Sequence, residues 1–125
     1  MRIVLYITIF GALGCLSRYY LSGAVYHIFG REFPYGTFAV NIVGAFLIGL
    51  IMEYGLLTEL ISFELRIGIT VGFLGGLTTF SAFSYETFRL LQDGKLFYAA
   101  INVTANIFLC IFFVWFGILA ARQLI

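Results

Sequence analysis

The chain has 125 residues, 62% of them hydrophobic and 10% charged, with one proline and a formal net charge of +1. Its mean hydropathy is +1.07. A soluble domain of this length could not cover so much apolar surface with so few charges, so the composition excludes one and points to an integral membrane protein. Membrane lipid is an expected partner and nucleic acid is not.

A helix that crosses a bilayer needs about 20 apolar residues, and the charges divide the chain into four such stretches. The first runs from Ile3 to Phe29, interrupted by Arg18 and His27; the second is uncharged from Phe33 to Met52. The third has no charge from Ile67 to Tyr85, and the fourth none from Leu96 to Ala121. The expected fold is therefore all-α, one unit over residues 1–125 with four transmembrane helices. The first stretch lacks a small-residue cleavage site after a short apolar core, which argues against a removable signal. Cys15 and Cys110 fall inside spans and read as free apolar cysteines.

In the first span Gly11/Cys15 and Gly14/Arg18/Ser22 are i,i+4 sets, so small residues line a side where another helix can come close. Arg18 is the charge well inside that helix. It either snorkels to the interface or faces protein or a vestibule, where a fixed positive charge would concentrate anions. His27 to Pro34 marks the first loop, and Pro34 suits the first turn of the second span. Thr37, Asn41 and Gly44 follow i,i+4,i+7 spacing there. Asn41 is either glue between helices or, through its NH2 group, a neutral donor to a passing anion. The second loop carries Glu53, Glu59 and Glu64, a solvated rim.

The third span holds the most unusual run, Gly72-Phe73-Leu74-Gly75-Gly76-Leu77-Thr78-Thr79-Phe80-Ser81-Ala82-Phe83-Ser84-Tyr85-Glu86. Three glycines in five residues weaken helix, five hydroxyl side chains follow from Thr78 to Tyr85, and a carboxylate closes the run. In hydrocarbon, backbone freed from a helix survives only where protein or a water-filled cavity satisfies it. Gly75-Gly76 thus suggests a break whose carbonyls have a partner, a cation being the obvious candidate. If the helix resumes at Phe80, then Phe80, Phe83, Ser84 and Thr87 share one face within roughly a 100° arc. Rings and hydroxyls on one stripe suit the lining of a polar path. The fourth span places Asn102 and Asn106 at i,i+4, able to extend such a track.

Positive charges, with Arg18 left out, divide evenly between the two sides: Arg2, Arg66 and Arg122 against Arg31, Arg89 and Lys95. Orientation normally follows an excess of Lys and Arg toward the cytoplasm. Without an excess the chain should insert both ways up, which makes an antiparallel dimer available. Four helices are a thin wall, and a dimer is the natural way to enclose a path.

The run Gly75 to Ser84, with Gly36-Thr37-Phe38-Ala39-Val40-Asn41 before it and Gly14 to Arg18, closely resembles the small fluoride channels called Fluc or CrcB. The resemblance spans essentially the whole chain. It implies a fluoride-selective channel of the inner (plasma) membrane that exports fluoride passively. The assembly it implies is an antiparallel, dual-topology homodimer with two pores and one structural sodium ion at the two-fold interface. The carbonyls that would hold the sodium match Gly75 and Thr78, at the break in the third helix near Gly75-Thr79. The pore phenylalanines match Phe80 and Phe83, and the pore asparagine matches Asn41. The polar track maps onto Thr37, Ser81, Ser84 and Glu86, with Asn106 beside it and Arg18 as a vestibule charge. Ala82 stands where the motif usually carries a hydroxyl residue, and Asn106 where relatives have other polar or aromatic residues.

The residues agree with that chemistry. Fluoride is small and holds water tightly, so a path must replace its hydration with donors, and Asn, Ser, Thr and the positive edges of aromatic rings can do so. The rival function is a small antiparallel proton-coupled exporter of cationic compounds. It wants a carboxylate in mid-membrane, whereas Glu53 and Glu86 lie near span ends and the mid-helix charge of the first span is Arg18. A purely structural subunit would leave the break and the amides unexplained. An enzyme is not expected, since no nucleophile–base or metal-ligand cluster is present.

Overall fold

A computed structural model describes residues 1–125 as an all-helical protein. Helix α1 spans Arg2–Phe29 and α2 spans Tyr35–Thr58. The third span, Phe63–Gln92, is composite. It begins with α3 (Phe63–Ile67), passes through a π-helical stretch Gly68–Leu74 into the single turn α4 (Gly75–Leu77), and resumes as α5 (Phe80–Gln92). Helix α6 spans Leu96–Gln123. Four of these units are long and apolar enough to cross a membrane, in the four places where the sequence puts spans. Gly94, at φ 74, makes the sharp reversal from α5 to α6, a left-handed conformation that glycine adopts without steric cost.

Helix α2 sits centrally, against α6 along most of its length and against α1 and the third span on its other sides. The fully buried apolar core is small: Val40, Leu74 and Leu77, with Leu47, Ile48 and Phe73 packed around them. Of 125 residues only 22 are buried, and the apolar stretch of α1 is 6% buried. In water that balance could not hold a fold together; in a bilayer the outward Leu, Ile and Phe side chains meet acyl chains of equal polarity.

With no hydrophobic gain between helices in lipid, close backbone approach has to supply the packing. Glycines do this at two crossings. A Cβ at Gly49 would overlap the Val114 carbonyl of α6, and one at Gly117 would overlap the Phe46 carbonyl of α2, so the pair is a reciprocal clamp. Across the other crossing, a Cβ at Gly14 would overlap the Phe73 carbonyl, and one at Gly76 would lie 2.8 Å from the Gly11 oxygen and 2.9 Å from the Cys15 nitrogen. The small side of α1 expected from Gly11, Gly14 and Cys15 is therefore where the third span docks.

That docking corrects one expectation. Gly75 and Gly76 are helical, and the break falls two residues later, at Thr78 and Thr79, whose backbones are extended (ψ 157 and 114). Gly76 is there to let α1 approach, not to leave the helix, and a Cβ at Gly75 beside it would meet nothing of α1. The β-branched threonines favour the extended conformation that follows. The π-helical turn before them was not anticipated from the sequence.

Gly14→Ala or Gly117→Ala should push the paired backbones apart and cost about 1–3 kcal/mol by overpacking. Gly23→Ala, which has nothing within 4 Å of its added Cβ, should be neutral. Thermal unfolding of the purified protein in detergent compares the three.

Candidate functional site

One polar stripe of α2 meets the broken third span. Thr37 reaches Glu86, Asn41 reaches Thr79, and a Cβ at Gly44 would overlap the Thr78 methyl. The i,i+4,i+7 set read from the sequence thus lies along the break and the helix beyond it.

At the break the regular ladder stops with Thr78 N–H donating to the Leu74 carbonyl at 3.0 Å. The Thr79 N–H donates instead to Asn41 Oδ1 at 2.8 Å, and Asn41 Nδ2 donates back to the Thr79 carbonyl at 3.3 Å. Ala82 N–H donates to the Thr79 hydroxyl at 3.2 Å, which caps α5. These two diversions have a consequence. In a continuous helix Thr79 N–H and Ala82 N–H would bond the carbonyls of Gly75 and Thr78, and both carbonyls are left without those donors.

From Asn41 the hydrogen bonds continue. Its Nδ2 also donates to Asn106 Oδ1 at 3.3 Å, and Asn106 Nδ2 donates to Asn102 Oδ1 at 2.9 Å and to the Asn102 carbonyl at 2.8 Å. Asn102 Nδ2 donates to Thr87 Oγ1 at 2.8 Å, and Thr87 Oγ1 donates to the Phe83 carbonyl at 2.7 Å. Asn102 is 1% exposed and Asn106 7%, so the file is buried against α5 and α6. It contains only neutral groups.

Beside this file lies a cleft of about 520 Å³, open on one face of the molecule. Asn41, Asn106, Gly75, Thr78, Phe80 and Phe83 all border it. Six of the residues singled out from the sequence therefore converge on one place. Phe83 is buried, whereas Phe80 is 78% exposed; their ring centroids are 5.4 Å apart with planes tilted by 51°.

Thr37 and Glu86 form a second centre, one helical turn from Asn41. Thr37 Oγ1 donates to Glu86 Oε1 at 2.8 Å, while Glu86 Oε2 is buried with no partner. Glu86 also borders a pocket of about 240 Å³ at the span ends, whose charged lining is mixed: Arg31, Arg89 and Lys95 with Glu32 and Asp93.

The remaining expected residues are not gathered with these. Ser81 and Ser84 are exposed on α5, Ser81 within 3.3 Å of the Thr79 hydroxyl and Ser84 donating to the Phe80 carbonyl at 2.9 Å. Neither borders the cleft or the rim pocket. Arg18 is half-buried on α1, and its guanidinium makes no ion pair. Tyr26 was missed altogether: its hydroxyl lies 3.4 Å from both Thr37 Oγ1 and Glu86 Oε1. No periodicity marks it, because its partners lie on two other helices.

The family described as CrcB-like protein, Camphor Resistance (CrcB) matches residues 5–118. The chain is also similar, almost end to end, to proteins named fluoride-specific ion channel FluC. It is 68% identical over 124 residues to the one from Geotalea uraniireducens, a match that covers 99% of this chain and 100% of that relative. It is 66% identical to the one from Geotalea daltonii and 61% to the one from Geobacter sulfurreducens, with the same coverage. The chain belongs to the CrcB family, and with its four apolar spans it is a multi-pass protein of the plasma membrane.

Proposed function

We propose that this protein is a fluoride-selective channel that lets fluoride leave the cytoplasm passively, working as an antiparallel homodimer with two pores. The observation that carries the reading is the buried file of neutral donors from Asn41 to Thr87, beside Phe80 and Phe83 in an open cleft. Relatives as close as 68% identical bear the name of fluoride-specific channels, which supports the choice of ion.

The chemistry follows from hydration. A fluoride ion entering the cleft needs donors to replace its water, and a cation finds few carboxylates to attract it. The 3.3 Å bonds from Asn41 Nδ2 are the longest of the file, so they cost least to exchange for a bond to the ion. Phe80 and Phe83 offer the positive edges of their rings. Toward the rim the path continues to Thr37 and Glu86, with Ser81 and Ser84 on the outer side of α5 and Arg18 adding a positive field. The exporter of cationic compounds gains no support, because no carboxylate borders the cleft.

A sodium ion fits the residues present. Main-chain carbonyls are hard oxygen ligands suited to hard cations, and those of Gly75 and Thr78 lack their helical donors while both residues border the same open cleft. Gly75 and Thr78 from two copies would hold the ion, which would supply the charge that offsets their carbonyl dipoles.

Fluoride efflux from liposomes tests the function directly, and chloride should not follow. Phe80→Ile or Phe83→Ile keeps bulk but removes the ring edge, so flux should fall sharply while the dimer still elutes intact. Wild-type flux in both variants sinks the pathway assignment. Asn41→Ala strips partners from the Thr79 N–H and carbonyl, at about 1–3 kcal/mol for each group left buried and unpaired. Its melting temperature should drop together with flux. Reporters fused to the C-terminus should appear on both sides of the membrane in comparable amounts; a single orientation rules out dual insertion.

A further inference from the structure

We infer that Tyr26 is a second hydrogen-bond donor at the Thr37–Glu86 centre, held in place by Arg31, and that it hands anions inward from the charged rim pocket. The inference rests on the fluoride-channel reading above and adds to it a residue and an entrance.

The sequence makes Tyr26 unremarkable, one of eight tyrosines in the chain. Its surroundings do not. The ring lies on Gly36, where an added Cβ would overlap two ring carbons, so α2 leaves a slot for it. Over the ring stands the Arg31 guanidinium, with Cζ 4.7 Å from the centroid, a cation–π contact. The hydroxyl then points between Thr37 Oγ1 and Glu86 Oε1, 3.4 Å from each. A side chain fixed by a slot and a stacked cation, with its polar end on two functional groups, is positioned for a task.

Distances indicate which task. Thr37 holds Glu86 Oε1 firmly at 2.8 Å, whereas both contacts of the phenol are long, so the phenol is the donor most cheaply diverted to an incoming ion. Tyr26, Arg31 and Glu86 all border the rim pocket, so the hydroxyl is reached from it. Arg31, Arg89 and Lys95 in that pocket are free of salt bridges, since the one ion pair in the chain joins Arg122 to Glu53 at the other end of α2. Glu32, Glu86 and Asp93 line the same pocket and balance that charge, so the attraction for an anion is local, at the cation that stands over the Tyr26 ring. Water arriving with a hydrated anion can also donate to Glu86 Oε2, which has no partner otherwise.

The test is fluoride efflux from liposomes with wild type, Tyr26→Phe, Arg31→Gln and the double variant, each with its melting temperature. Tyr26→Phe keeps the ring in its slot and under Arg31, so stability should hold while flux falls about tenfold, the scale of one hydrogen bond lost to an ion. Arg31→Gln should lower flux in wild type severalfold and by a smaller factor in Tyr26→Phe, because part of its effect passes through the phenol. Undiminished flux in Tyr26→Phe overturns the inference, and so do losses that simply multiply in the double variant. If the wild type itself passes no fluoride, the function falls and this role falls with it. A conducting wild type with an unaffected Tyr26→Phe removes this role alone.

Discussion

The structure depends on one side chain satisfying both backbone groups of one residue. Leaving a helix inside a bilayer exposes an N–H and a C=O that cost several kcal/mol each if nothing bonds them. Asn41 meets both at Thr79 with a single amide, its oxygen accepting and its nitrogen donating. The asparagine amide carries a neutral donor and acceptor on two adjacent atoms, matching the N–H and C=O of one extended residue. A serine or threonine hydroxyl has both functions on a single oxygen, and aspartate would bring a charge. The break can therefore exist at membrane depth because α2 presents an amide at that height.

The same amide links the break to α6. Its second hydrogen bond enters a file in which each donor points the same way, from Asn41 through Asn106 and Asn102 to Thr87 and the Phe83 carbonyl. Bonds aligned in series polarise one another, which makes Asn41 Oδ1, at the head of the series, a stronger acceptor for the Thr79 N–H. The break and the file therefore reinforce each other without any fixed charge. The glycine contacts make the file narrow: α2 and α6 come close because Gly49 and Gly117 each lie against the other helix's backbone.

Much of this was legible in the sequence. Charges at span ends set the four helices, and i,i+4 spacing put Thr37, Asn41 and Gly44 on one stripe and Asn102 with Asn106 on another. What failed had a physical reason. Gly75-Gly76 reads as a helix breaker on propensity alone, yet in a membrane glycine is as often a contact surface, and here Gly76 serves α1. The actual break at Thr78-Thr79 is decided by Asn41, some 38 residues earlier, and no local pattern announces a partner at that range. Tyr26 was invisible for the same reason: its meaning comes from Gly36, Arg31 and Glu86, which only tertiary packing assembles.

The break also bears on why a single copy would be an incomplete object. Diverting Thr79 N–H to Asn41 and Ala82 N–H to the Thr79 hydroxyl satisfies those donors but strands the Gly75 and Thr78 carbonyls beside the open cleft. Acyl chains have no donors to offer them, and Phe80, 78% exposed on the same face, gains little from lipid that it would not gain from protein. Under the proposed dimer both problems have one solution. A second copy covers the cleft, and a cation between the copies takes the carbonyls that Asn41 cannot reach. On that proposal, the residue that makes the break tolerable within the protomer would also leave the carbonyl of Gly75 for a partner outside it.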